Sequence, residues 1–181
     1  MIRRIAVELT KKEKTIKYCV YCAFIALFSL LQNVGGLWFE IGGARCFFLI
    51  PVCVIFSIDE DEKISAFLGL FAGFLWDAVS AQHMGFNCIY LMLACYISSA
   101  LVTFIFRDTF RIEFISTGVI TFIYVLLYWL FFVLRKGVEG SAFSFLSFYL
   151  PCFVYTLLMT PLLYAVLTPL KRKLNKEPKE D

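Results

Sequence analysis

Apolar residues gather into runs at about 18–32, 46–58, 64–81, 86–106, 112–134 and 143–170, separated by short charged or glycine-bearing segments. Hydrocarbon offers the backbone no hydrogen-bond partners, so apolar runs of this length predict helices that satisfy their own backbone while crossing a bilayer. The pattern predicts an all-α integral membrane protein, a six-transmembrane-helix bundle. The run at 46–58 holds thirteen residues, against the roughly 20 needed to cross perpendicularly. A re-entrant hairpin therefore competes with a full span at that point.

Positive charge separates the two topologies. With six spans and a cytoplasmic N-terminus, fourteen Lys and Arg residues fall on cytoplasmic segments, and only Arg45, Arg135 and Lys136 fall outside. A re-entrant second run flips every later segment and leaves eight inside against nine outside. The positive-inside rule favours six spans with both termini cytoplasmic, the second span borrowing Ile41 to Arg45 or lying where the bilayer is thin. The domain reading is a basic cytoplasmic segment at 1–17, a membrane domain at 18–170 and a polar, disordered cytoplasmic tail at 171–181. Pro151 and Pro161 predict a kink in the last span.

Composition narrows the function classes. Of 181 residues, 61% are apolar and 21 are Phe, which leaves little chain for a separate soluble domain. The net charge of +3 sits at the two ends and makes no nucleic-acid footprint. Seventeen residues, rich in basic side chains, precede the first apolar run without a small-residue cleavage site, so that run reads as a retained span. Seven cysteines lie in or beside apolar segments, and Cys19 and Cys22 have C-x-x-C spacing. With no second pair and no histidine cluster beside them, they read as small packing residues in preference to redox or metal chemistry, and no cofactor is expected. His83, alone in a loop, reads as solvated. P-loop, G-x-S-x-G and H-E-x-x-H patterns are missing, which argues against an enzyme.

One acidic residue stands inside a membrane-length apolar run. In the stretch Ile64 to Ser80, Gly69, Gly73 and Asp77 recur every four residues and share one helix face. A charged Asp near a bilayer centre costs roughly 2.5 to 3.5 kcal/mol, so that face must turn toward protein or water, or carry a proton. Two readings stand. Asp77 is a polar tether, accepting from the Ser80 hydroxyl, the Asn87 amide or backbone donors at the start of the fourth span, or it is a proton, cation or ligand site. The Gly69–Gly73 pair suits close helix packing, either within the bundle or against another protein's single span. Gly85 and Asn87 suit the turn and the helix start that follow. Trp76 lies about 100 degrees around the helix from Asp77 and reads as lipid-facing or packed. Phe122, Phe131, Phe132, Phe145, Phe148 and Phe153 read as lipid-facing bulk. The loop Asp59-Glu60-Asp61-Glu62 reads as a solvated cytoplasmic turn, or as a docking point for a basic partner.

The series Gly69, Gly73, Asp77, Gly85 and Asn87, followed by a span with Tyr96, resembles the MreD family of rod shape-determining membrane proteins. Weaker echoes are Leu31-Gln32 and Thr160-Pro161 with Tyr164; Arg45-Cys46 and Cys95 depart from the pattern. The resemblance implies a non-catalytic scaffold of the cell-wall elongation complex in the bacterial cytoplasmic membrane. Its implied partners are the bitopic protein MreC, MreB filaments, a RodA-type glycosyltransferase and a class B penicillin-binding protein. The alternative is a substrate-binding S component of an energy-coupling-factor transporter, whose topology MreD proteins share, with Asp77 and Asn87 lining an outward pocket. Against it, the first span lacks alanine-rich spacing, with Ala23 and Ala26 three apart.

Overall fold

The computed structural model describes residues 10–33, 40–41, 44–80, 85–104, 110–136 and 141–175. Helix α1, Lys11–Asn33, opens seven residues before the apolar run because Thr10 and Glu13 build a cap. The Thr10 N–H donates to Glu13 Oε2 at 2.9 Å and its hydroxyl donates to the same oxygen at 3.0 Å, the reciprocal half of a capping box. Short strands β1, Glu40–Ile41, and β2, Ala44–Arg45, pair antiparallel. Of the stretch Ile41 to Arg45 expected to extend the second span, Ile41, Ala44 and Arg45 are spent on strand pairing, and Gly42 and Gly43 lie outside the described residues.

Helix α2, Leu49–Ser57, is the centre of the molecule. It begins where Pro51 sits in the first turn, where a missing N–H costs nothing. Nine residues rise only about 14 Å, and every one of them is buried. Five helices surround it: α1, α3 (Glu62–Ser80), α4 (Phe86–Phe104), α5 (Phe110–Phe132) and α7 (Leu150–Asn175). Ile25, Leu68, Leu91, Val125 and Leu167 bring one buried apolar side chain from each to the core cluster. Tyr21 stacks on Phe56 with centroids 4.3 Å apart.

A short helix at membrane depth survives only if its loose backbone groups find partners inside the protein. Ahead of α2, the N–H groups of Arg45, Phe47 and Leu49 donate to Cys152 Sγ at 3.3 Å, Thr156 Oγ1 at 3.0 Å and Gln32 Oε1 at 3.0 Å. Behind it, the carbonyls of Ile55, Ser57 and Glu60 accept from Lys171 Nζ at 2.8 Å, Ser65 Oγ at 3.0 Å and Ser99 Oγ at 2.6 Å. The start of α2 thus lies beside Gln32 and the turn after it beside Lys17, so the segment runs antiparallel to α1 along most of its length.

The last helical stretch starts as α6, Ser141–Ser144, passes through a π-helical turn at Phe145–Tyr149 and continues as α7. The irregular turn immediately precedes Pro151, whose ring cannot fit a regular preceding turn. Helix α7 continues to Asn175, past the boundary expected at 170, and Lys171 is buried. Among the described residues, four helical stretches are long and apolar enough to cross a membrane: Lys11–Asn33, Glu62–Ser80, Phe110–Phe132 and Phe145–Asn175; Phe86–Val102 is a shorter apolar stretch. Phe67, Phe74, Phe143, Leu158 and Leu162 stand exposed on the outside of the bundle, as a lipid-facing surface requires.

Candidate functional site

The α3–α4 hairpin has the most extensive helix interface in the molecule. Gly69 and Gly73 make it possible. A Cβ on Gly69 would collide with the backbone of Leu91 and the Cys95 sulfur, and one on Gly73 with the backbone of Asn87 and Cys88. At the end of this bare stripe, Asp77 is 4% exposed and accepts three backbone N–H bonds from the start of α4. Its Oδ2 takes Gly85 and Cys88 at 3.0 Å each, and its Oδ1 takes Asn87 at 3.3 Å. The first N–H groups of a helix lack intrahelical partners and carry the positive end of the helix dipole, so a carboxylate there answers both needs. Gly85 holds φ +96, the left-handed conformation that lets the turn deliver its N–H to Asp77.

Asn87 carries the contact onward. Its side-chain oxygen accepts from the Tyr124 hydroxyl at 2.8 Å. Tyr124 is the hub of an aromatic group: Trp76, Tyr90 and Phe47 lie within 5.1 to 5.4 Å of its ring, and Phe86 and Tyr128 within 6.0 Å. Beside them opens a cavity of about 340 Å³ walled by α1, the β2–α2 segment, α3, α4, α5 and the π-helical turn. Gln32, Arg45, Trp76, Asn87, Tyr128 and Tyr149 are among its lining residues.

At the opposite end of the bundle the acidic loop is solvated only in part: Asp61 is exposed, whereas Asp59 and Glu60 are held by lysines. Glu60 is buried and paired with Lys17, and it accepts from the Tyr18 hydroxyl at 3.3 Å. Lys171 pairs with Asp59 at 2.6 Å and Glu113 at 3.4 Å. Burial pushes the Glu60 carboxyl above its ordinary range, and the opposing pull of Lys17 does not cancel it. Both earlier readings of this loop, solvated turn and docking point, give way for Asp59 and Glu60, because the chain's own lysines fill the role of the basic partner.

The structure brings Gly69, Gly73, Asp77, Gly85 and Asn87 together at one hairpin. Asp77 points into the α4 backbone and does not line the cavity, whereas Asn87 does. The Ser80 hydroxyl turns away from Asp77 and donates to the Trp76 carbonyl at 2.9 Å. Trp76 is buried, and of the phenylalanines read as lipid-facing, Phe132 and Phe145 join ring clusters with Tyr128 and Trp129. His83 lies outside the described residues. Sequence reasoning missed Gln32, Lys17 and Lys171 as structural groups; a lysine directly abutting an apolar run was the available signal for the last two.

A polytopic all-α membrane protein, whose buried polar groups are largely committed to its own helix ends and whose cavity sits among aromatic rings, is the class that these features define. Residues 13–176 match the family model described as rod shape-determining protein MreD, and the chain belongs to that family. Neither a curated protein nor a solved structure matches it.

Proposed function

We propose that this protein is a non-catalytic scaffold of the bacterial cell-wall elongation complex. It binds an MreC-like bitopic protein in the cytoplasmic membrane and connects it to MreB filaments and to the peptidoglycan synthases. Family membership is the observation that carries this reading. A chain with so little extramembrane mass recruits partners through helix faces and short segments. The Gly69–Gly73 stripe is filled by α4, so a partner's span packs on the outward apolar faces instead. Six spans with both termini cytoplasmic fit the antiparallel course of α2 beside α1, which supports placing the Lys17–Glu60 end at the cytoplasmic face.

Replacing the protein in a rod-shaped host that lacks its own member of this family tests the proposal. Restored rods and co-purification of the MreC-like protein are expected. Round cells despite normal membrane levels would refute it.

The S-component alternative draws on one observation, the aromatic cavity at the Asp77 end. ATP-driven uptake of a small molecule, dependent on partner ATPase subunits, would favour that reading over scaffolding.

A further inference from the structure

We infer that the cavity beside Tyr124 is a binding site for a ring-shaped, neutral or anionic ligand that presents a hydrogen-bond acceptor to Gln32 and Asn87. Gln32 supplies the first reason. The Leu49 N–H can only donate, so its bond to Gln32 Oε1 fixes the amide orientation and leaves Nε2 facing elsewhere. That nitrogen is buried and has no partner. A buried donor without an acceptor costs about 1–3 kcal/mol, and native proteins leave few of them. Asn87 supplies the second. The residue is 3% exposed, its side-chain oxygen is taken by Tyr124, and its amide nitrogen donates to no described residue. Both residues line the same cavity.

The remaining walls define the ligand. Trp76, Tyr124, Tyr128 and Tyr149 offer ring faces and edges, which take flat rings or the C–H face of a sugar. None of the described lining residues is Asp or Glu, so a cationic ligand finds no counter-charge among them. The volume of about 340 Å³ falls at the lower end of the roughly 300–1,000 Å³ typical of small-molecule sites. Aromatic acids and acylated sugars share this chemistry: a ring body with a carboxylate or carbonyl acceptor. The inference is independent of the scaffold reading, since the same site serves a sensed effector or a carried solute.

Saturation-transfer NMR on the full chain in nanodiscs, with benzoate and N-acetylglucosamine as separate probes at millimolar concentration, tests it. Transfer to the ring protons of at least one probe is expected, and which probe responds tells an aromatic acid from a glycan. Gln32→Glu keeps the acceptor for Leu49 and replaces the free donor with an oxygen, so binding should weaken about tenfold or more. Val79→Trp, which fills the cavity from its lining, should abolish transfer and serves if Gln32→Glu does not fold. Leu158→Ala, on the exposed apolar surface, should bind as the native protein does. Silence from both probes, or undiminished transfer in both cavity variants, would overturn the assignment.

Discussion

Lys171 donates to the carbonyl oxygen of Ile55 at 2.8 Å, so the last helix closes the open end of the short central helix across 116 residues of sequence. The same ammonium pairs with Asp59 and Glu113. Removing it takes a buried cation away from two carboxylates and a carbonyl. Breaking a buried pair in this way costs about 3–5 kcal/mol. Lys171→Met should therefore lower the thermal midpoint in detergent strongly, whereas Leu158→Ala should leave it nearly unchanged.

Asp77 should tolerate Asn better than Ala. An Asn keeps one acceptor oxygen for the first turn of α4 but loses the charge, for a cost of about 1–2 kcal/mol. An Ala leaves three N–H groups without their acceptor, for about 3 kcal/mol or more. Melting curves of the two variants should rank native above Asn above Ala. Equal midpoints would show that the bonds to Gly85, Asn87 and Cys88 contribute nothing.

The glycines separate close approach from mere smallness. At Gly73 a Cβ meets α4 backbone, which cannot step aside without parting the helices, so Gly73→Ala should destabilise by about 1–3 kcal/mol. At Gly118 the new Cβ meets only the end of the Leu157 side chain, at 3.3 Å. That side chain can yield, and alanine is a better helix former by up to about 1 kcal/mol, so Gly118→Ala should be neutral or stabilising. The same melts measure both.

The Lys17–Glu60 pair predicts a pH signature. Glu60 sits above its ordinary value because burial outweighs Lys17, so the folded state holds this proton more tightly than the unfolded chain does. Its contribution is then fully present below the unfolded value of roughly 4.3 and is lost as pH rises through the folded value. Lys17→Met removes the opposing charge and enlarges the effect. Its deficit against the native protein should be small near pH 4.5 and grow toward pH 8, reaching about 3 kcal/mol. A deficit that does not change with pH would contradict this origin.

Much of the bundle was legible because membrane helices announce themselves by composition: the long apolar runs around α1, α3, α4, α5 and α7 all became helices. The alignment of Gly69, Gly73 and Asp77 followed from helical spacing alone. Boundaries were less legible. Lys11–Lys17 reads as polar, yet Thr10 and Glu13 cap it into α1. The stretch at 46–58 shrank to nine helical residues, because the N–H groups ahead of it donate to side chains more than a hundred residues away, which no local pattern encodes. The acidic loop misled for the same reason. Of four consecutive acids that look solvated, Asp61 is exposed, but Asp59 and Glu60 are claimed by Lys171 and Lys17 from two other helices. Of the cavity, the sequence offered only an outward pocket lined by Asp77 and Asn87; Asn87 lines it and Asp77 does not, and the other walls come from segments far apart in the chain.

On the proposed function, Asp77 works by fastening α4 to α3, and the assembled bundle then acts as a scaffold. Membrane levels and cell shape should be measured together for Asp77→Asn in a rod-shaped host lacking its own family member. Reduced levels with rounding are expected, and rods should return when raised expression restores the level. Rounded cells at native levels would contradict it, assigning the carboxylate a role beyond holding the hairpin.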